Sequence, residues 1–136
     1  FDLLELSLTN STRNLILNRA HLGEYVYSPI YRGYQGNWIY DLEESFLNAS
    51  SEHIEKVKLF VLYDSDDYQL TNREDGKSLS NTDHAKMALE RERFKSAFEK
   101  SKIPIKKIFN LANYRQEKSS EGRVDLKSLL NSILEL

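Results

Sequence analysis

A chain of 136 residues has room for one domain with a modest core. Its apolar fraction of 40%, charged fraction of 29% and formal net charge of −2 suit a globular protein in water and lack the basic excess of a general nucleic-acid binder. No apolar run nears the ~20 residues a membrane-spanning helix needs; residues 1–8 lack the basic start of a signal peptide; and without cysteine the chain has no disulfide, thiolate metal site or cysteine nucleophile, which fits a reducing cytoplasm.

In chain order, Phe1, Leu4 and Leu8 share a helical face, and Asn10-Ser11-Thr12 ends that segment. Asn14 to Leu17 reads as a short buried strand. A polar and aromatic loop follows as far as Tyr34, and Pro29 is expected to keep it from forming a regular helix. Trp38, Ile39, Leu42 and Phe46 recur at helical spacing, which predicts an amphipathic helix from Asn37 to about Ala49. Val57 to Tyr63 is the clearest strand, with the near-continuous apolar character of a parallel strand covered on both faces.

The polar stretch 64–81 is far longer than the usual connection of about 4–6 residues, so it is predicted to be a mobile lid. Asp83 to about Ser101 is a charged helix with Met87, Phe94, Ala97 and Phe98 facing inward, and Ile105 to Leu111 is a third strand. Asp125 can cap a last helix that carries Leu126, Leu129, Leu130, Ile133 and Leu134 on one stripe. This order predicts a single α/β domain over residues 1–136, a three-layer sandwich around a parallel sheet.

Candidate chemistry gathers just after the first predicted strand, at the carboxyl end where α/β sheets usually bind ligands. Arg19 would sit there with a guanidinium shaped to grip a phosphate bidentately. His21, Glu24, Tyr25, Tyr27, Tyr31, Arg32 and Tyr34 follow, a mixture of cations and aromatic surface that suits a nucleotide. Each residue also has a plainer use. The tyrosines serve equally as packing, His21 as a hydrogen-bonded structural histidine, and Glu24 as a partner that orders Arg19 or Arg32. His53 and His84 stand too isolated for a metal site. Asp64-Ser65-Asp66-Asp67 lacks the glycine and distal glutamate of a calcium loop and reads as a solvated lid edge.

The segment Asn18-Arg19-Ala20, then Gly23, then Val26-Tyr27-Ser28 resembles the thymidylate-kinase-like branch of the P-loop nucleoside monophosphate kinases, in particular its phage-type members. Sparser matches are the strand Lys58 to Tyr63, a polar lid with Arg73, the helix around Glu90-Arg91-Glu92-Arg93-Phe94, and the final strand and helix. The resemblance implies a P-loop nucleotide-kinase fold and ATP-dependent, magnesium-assisted phosphorylation of a deoxynucleoside monophosphate such as dTMP. It implies that Arg19 holds the monophosphate, that Arg73 closes over the transferring phosphoryl group, and that His21, Glu24, Tyr25, Tyr27, Tyr31 and Arg32 line the substrate site. The expected partners are then the monophosphate and ATP, with no nucleic acid and no membrane.

Three positions depart from the family pattern. Asn18 replaces an aspartate that helps to organise the magnesium shell, and Ser28 replaces a glutamine that reads thymine. The phosphate-binding loop is missing: Gly76-Lys77-Ser78 has Thr71 where the loop's first glycine belongs, and it follows a polar loop rather than a strand. The corresponding expectation is the C-terminal part of a kinase lacking its first βα unit, inactive alone, with an open sheet edge that invites association such as a homodimer. The alternative is a non-catalytic kinase-fold remnant or interaction module. Asn18 and the absent loop favour the alternative, whereas the Arg19 to Tyr34 cluster favours the enzyme.

Overall fold

A computed structural model describes residues 1–9, 14–65, 83–115 and 123–136. Contacts gather the chain into two units, Phe1–Leu59 with Leu89–Ile105, and Phe60–Ala88 with Lys106–Leu136. Helix α1 (Asp2–Thr9) opens the first unit. Helix α2 (Leu22–Tyr27) runs directly into a π-helical turn, Ser28–Arg32. Helix α3 (Ile39–Ala49) and a 3-10 turn (Ser51–Lys56) follow, then strand β1 (Lys58–Tyr63). Helix α4 (His84–Lys100), strand β2 (Ile105–Asn110), a 3-10 turn (Leu111–Tyr114) and helix α5 (Leu126–Leu134) complete the order.

In the first unit, Phe46, Val57 and Ile103 form a buried cluster, and Phe1, Leu4 and Leu8 pack on it as their spacing predicts. A second buried set comprises Leu22, Tyr25 and Val26 of α2, Ile39 of α3 and Ala97 of α4. Pro29 does not prevent helix. It has no N–H to donate, and at that point the coil widens into the π turn, which Gly33 ends with a left-handed φ of 76°. Gly36 then lies against the backbone of α2, where an added Cβ would stand 2.5 Å from the Glu24 carbonyl oxygen.

Two expectations about this unit need correction. Asn14 to Leu17 is no buried strand: every residue is exposed, Ile16 at 86%, and the segment has no strand partner among the described residues. A run this short carries no periodicity to separate a strand from an apolar coil. The buried face of α3 also differs. Ile39, Glu43 and Phe46 point inward, while Trp38 and Leu42 are about half-exposed. Glu43 occupies a core position because hydrogen bonds satisfy its carboxylate, which apolar periodicity cannot register.

In the second unit β1 and β2 form a two-stranded parallel sheet. The class is mixed α/β as expected, but among the described residues the sheet has two strands rather than three. Nor is β1 covered on both faces, since Leu62 is 45% exposed. Asn110 ties the strand ends together: its Oδ1 accepts from the Ser65 N–H at 3.2 Å and its Nδ2 donates to Ser65 Oγ at 3.0 Å. Asp64, expected at a solvated lid edge, is buried and paired with Arg115.

Asp125 caps α5 as predicted, its Oδ1 accepting from the N–H groups of Lys127 and Ser128. The leucine stripe of α5 is not buried as a set. Leu129 is inside, whereas Leu126, Leu130 and Leu134 are exposed. The remainder of the predicted lid, with Arg73 and Gly76-Lys77-Ser78, lies outside the described residues. No described helix is long and apolar enough to cross a membrane.

Candidate functional site

The site begins with an unusual stretch of backbone. Arg19 and Ala20 are consecutive non-glycine residues with positive φ, 64° and 33°. Left-handed L-residues cost roughly 1–2 kcal/mol each, so the surrounding contacts must hold them there. The bend delivers the chain into α2, with the Gly23 N–H bonded to the Arg19 carbonyl at 3.1 Å. Arg19 itself is left exposed, its guanidinium 5.6 Å from the centre of the Tyr27 ring.

Beside this bend lies a cavity of about 340 Å³. Phe1 and Leu4 of α1 form one wall, and Trp38, Ile39 and Leu42 at the start of α3 form another. Leu17, Ala20, His21 and Glu24 close it from the bend and α2. Three aromatic or heteroaromatic rings and several aliphatic groups thus surround a space of the size that takes a flat small molecule. Among the described residues, the titratable side chains that line it are His21 and Glu24.

His21 is anchored from beneath. Its Nε2 lies 2.6 Å from Glu43 Oε2, and its ring tilts against Phe1 at 4.9 Å. Glu43 is fully buried and also accepts from Ser101 Oγ at 2.8 Å and from the Lys102 N–H at 2.5 Å. Burial pushes its carboxyl pKa up, but the hydrogen bonds from His21, Lys102 and Ser101 together outweigh burial and hold it below the usual 4.5. Glu43 therefore links α3, the start of α2 and the segment after α4 through one ionised carboxylate.

Glu24 is equally committed. Its carboxylate accepts from the Tyr34 hydroxyl, from Ser28 Oγ at 2.7 Å and from Arg32 Nη1 at 2.7 Å. The bonds from Tyr34 and Ser28, with Arg32 behind them, lower its pKa from the ordinary value. Glu24 thus orders Arg32 and not Arg19. Ser28, at the position where the kinase pattern has a base-reading glutamine, is wholly buried and spends its hydroxyl on Glu24.

The tyrosines follow the packing alternative. Tyr25 is 7% exposed, edge-on to Tyr40 at 5.5 Å, with its hydroxyl taking a hydrogen bond from Lys100 Nζ at 2.9 Å. Arg93 lies over the same ring at 4.6 Å and donates to the Tyr25 carbonyl at 2.8 Å. The Lys100 hydrogen bond, then that of Ser96, lowers the Tyr25 phenol pKa. Tyr27 packs edge-on to Phe94 at 5.6 Å, and burial raises its pKa. Tyr31 donates to Glu90. All three tyrosines therefore fasten α2 and the π turn to α4.

Of the residues singled out from sequence, His21 and Glu24 line the cavity and Arg19 stands exposed next to it in the chain, whereas Arg32 is tied to Glu24 at the surface. Arg73 lies outside the described residues. Glu43, Trp38 and Lys100 were not among the candidates. A carboxylate four residues after Ile39 and three before Phe46, inside an apolar helical stripe, was the available signal for Glu43. No three His, Asp or Glu side chains come together as a metal site among the described residues. Comparison of the chain with protein-family models, curated proteins and solved structures gives no match.

Proposed function

We propose that this chain supplies the acceptor side of a nucleotide kinase, binding a deoxynucleoside monophosphate such as dTMP with its base in the cavity and its phosphate on Arg19. The observation that supports this most is the position of the cavity between the Arg19–Glu24 bend and the start of α3, beside an exposed guanidinium. The two ends of the ligand differ in the same sense as the two parts of the site. Apolar walls with Trp38 and Phe1 suit a stacked base, an interaction worth about 1–3 kcal/mol. A lone exposed arginine suits the phosphate, with charge-assisted bonds of about 1.5–3 kcal/mol.

Phosphoryl transfer depends on positioning and charge neutralisation more than on a general base. Arg19 would orient and neutralise the acceptor phosphate, and Arg73 would cover the transferring group and exclude water. ATP with magnesium would bring the donor phosphoryl group, on a phosphate-binding loop that the 136 residues do not contain. The alternative, a non-catalytic remnant or interaction module on the same fold, is favoured by Asn18 in place of the aspartate.

Trp38 is the only tryptophan and lines the cavity, so its emission reports binding directly. Titration with dTMP should give a saturable change, and Arg19→Ala should weaken the affinity roughly tenfold or more. The parent nucleoside, without phosphate, should bind alike to both proteins. Equal dTMP affinity in wild type and Arg19→Ala would refute the phosphate assignment, and no response to any monophosphate would refute the nucleotide assignment altogether. ATP-dependent turnover of dTMP then separates the kinase from the binding module.

A further inference from the structure

We infer that a groove between α1 and α3 docks a basic amphipathic helix of a partner protein, its apolar stripe in the groove and its lysines or arginines on an acidic rim. The groove shares Phe1 and Leu42 with the cavity beside Arg19 but none of the cavity's other walls, so it is a separate site from the proposed nucleotide cavity.

The groove measures about 290 Å³. Leu42, Ser45, Phe46 and Ala49 line it from α3, and residues at those spacings share one helical face. Ser45 spends its hydroxyl on the Asp41 carbonyl at 2.9 Å, which leaves this wall chiefly apolar. Phe1, Asp2 and Glu5 form the other side. Leu42 is 47% exposed, and Leu6, one turn along α1 from Asp2, is 65% exposed, so uncovered apolar surface continues past the groove. Helix α3 has 11 residues, which a partner helix can follow for three turns with anchors at i, i+3 or i+4, and i+7.

Charge selects the partner. Helices α1 and α3 carry Asp2, Glu5, Asp41, Glu43 and Glu44 and no lysine or arginine. Glu43 is spent on His21, Ser101 and Lys102, and Glu44 pairs with Lys102 Nζ at 3.0 Å. Asp2, Glu5 and Asp41 make no ion pair among the described residues. A second copy presenting the same two helices would set like charges against each other, and nucleic acid or an anionic membrane would be repelled too. A cationic helix instead meets complementary charge on both sides of an apolar seam.

The probe is a fluorescein-labelled peptide of about 14 residues, stapled so that it is helical before it binds, with leucine at i, i+3 and i+7 and lysine beside them. Anisotropy titration with the full chain should show saturable binding, and a twin with glutamate for lysine should bind roughly tenfold more weakly or not at all. Asp2, Glu5 and Ala49 are exposed, so substitutions there spare the core. Asp2→Asn with Glu5→Gln should weaken the lysine peptide roughly fivefold or more, and Ala49→Arg should abolish binding by filling the groove with a cation. Glu55→Gln with Glu92→Gln removes two exposed acids elsewhere and should leave binding unchanged. No binding, equal binding of the two peptides, or equal losses in the two double variants overturns the inference. So does a dimer of the chain alone, seen by sedimentation, that Ala49→Arg dissolves, since the groove would then belong to a second copy. None of these results bears on whether Trp38 responds to dTMP, so the nucleotide reading stands or falls separately.

Discussion

Removing the Glu43 carboxylate should be the most damaging single truncation in the first unit. In Glu43→Ala three donors lose their acceptor at once: the Lys102 N–H, the Ser101 hydroxyl and His21 Nε2. Glu43 has no exposed surface and His21 is only 11% exposed, so water cannot readily replace all three bonds. Leaving a buried donor unsatisfied costs about 1–3 kcal/mol, and here three donors are left at once. The three losses overlap, so the expected destabilisation is about 3–5 kcal/mol, set against a typical total stability of about 5–15 kcal/mol. Glu43→Gln keeps an oxygen for the Lys102 N–H and the same volume, and should cost less than half as much.

Urea unfolding followed by far-UV circular dichroism and Trp38 emission gives both values by linear extrapolation. The acid side carries an independent check. The folded carboxyl of Glu43 lies below its ordinary 4.5, so its contribution is complete above that value and is lost as pH falls through the lowered folded pKa. Wild-type stability should therefore decline in that acid window, and Glu43→Gln should decline less. A Glu43→Ala cost below about 1 kcal/mol, or Gln as harmful as Ala, would refute the account of Glu43 as a three-way acceptor.

Gly36→Ala should destabilise by about 1–3 kcal/mol or more, because its Cβ would stand 2.5–2.8 Å from backbone atoms of Glu24 and Tyr25, which cannot give way as a side chain can; thermal melting measures it. Arg93→Met should cost about 1–2 kcal/mol in urea unfolding, through loss of the bond to the Tyr25 carbonyl and of the stack on the Tyr25 ring. Asp125→Ala should speed amide exchange at Lys127 and Ser128, the two groups its side chain caps, while leaving the amides of α3 unchanged.

How far the sequence could be read depended on how much of each signal was local. Helices α1, α3, α4 and α5 came through because capping and 3.6-residue spacing are properties of a few neighbours: Phe1, Leu4 and Leu8 do pack together on the core, and Asp125 does cap α5, whereas α2 and the π turn after it stand where a loop was expected. Strand Lys58–Tyr63 was legible for the same reason. Leu15-Ile16-Leu17 was not, because burial of a short apolar run depends on a partner elsewhere in the chain, and here the run stays exposed. Leu126, Leu130 and Leu134 show the same limit in a helix, where spacing reveals an apolar stripe without showing what covers it. Asp64 erred in the opposite direction: an acidic run looked solvated, yet Arg115, far along the chain, draws its first residue inside.

The candidate site divides along the same line. Sequence located the segment Arg19 to Tyr34 by composition, and composition treats all its polar and aromatic groups alike. Folding separates them by what they already hold. Tyr25, Tyr27, Tyr31 and Arg32 spend their polar atoms or rings on α4 and on Glu24, so removing them would injure the scaffold before any ligand. His21 keeps one ring nitrogen unspent, Trp38 keeps about half its surface, and Arg19 keeps its guanidinium in solvent. Groups with unspent capacity at the edge of an apolar cavity are the ones that can exchange water for a ligand. The left-handed backbone at Arg19 and Ala20 fits this division, since strain of that kind persists only where surrounding contacts hold it. The anchors are the Tyr27 ring beneath Arg19 and Glu43 beneath His21. On the proposed reading, Glu43 and the tyrosines would act through the rigidity of the wall, and the residues that meet a ligand could remain few.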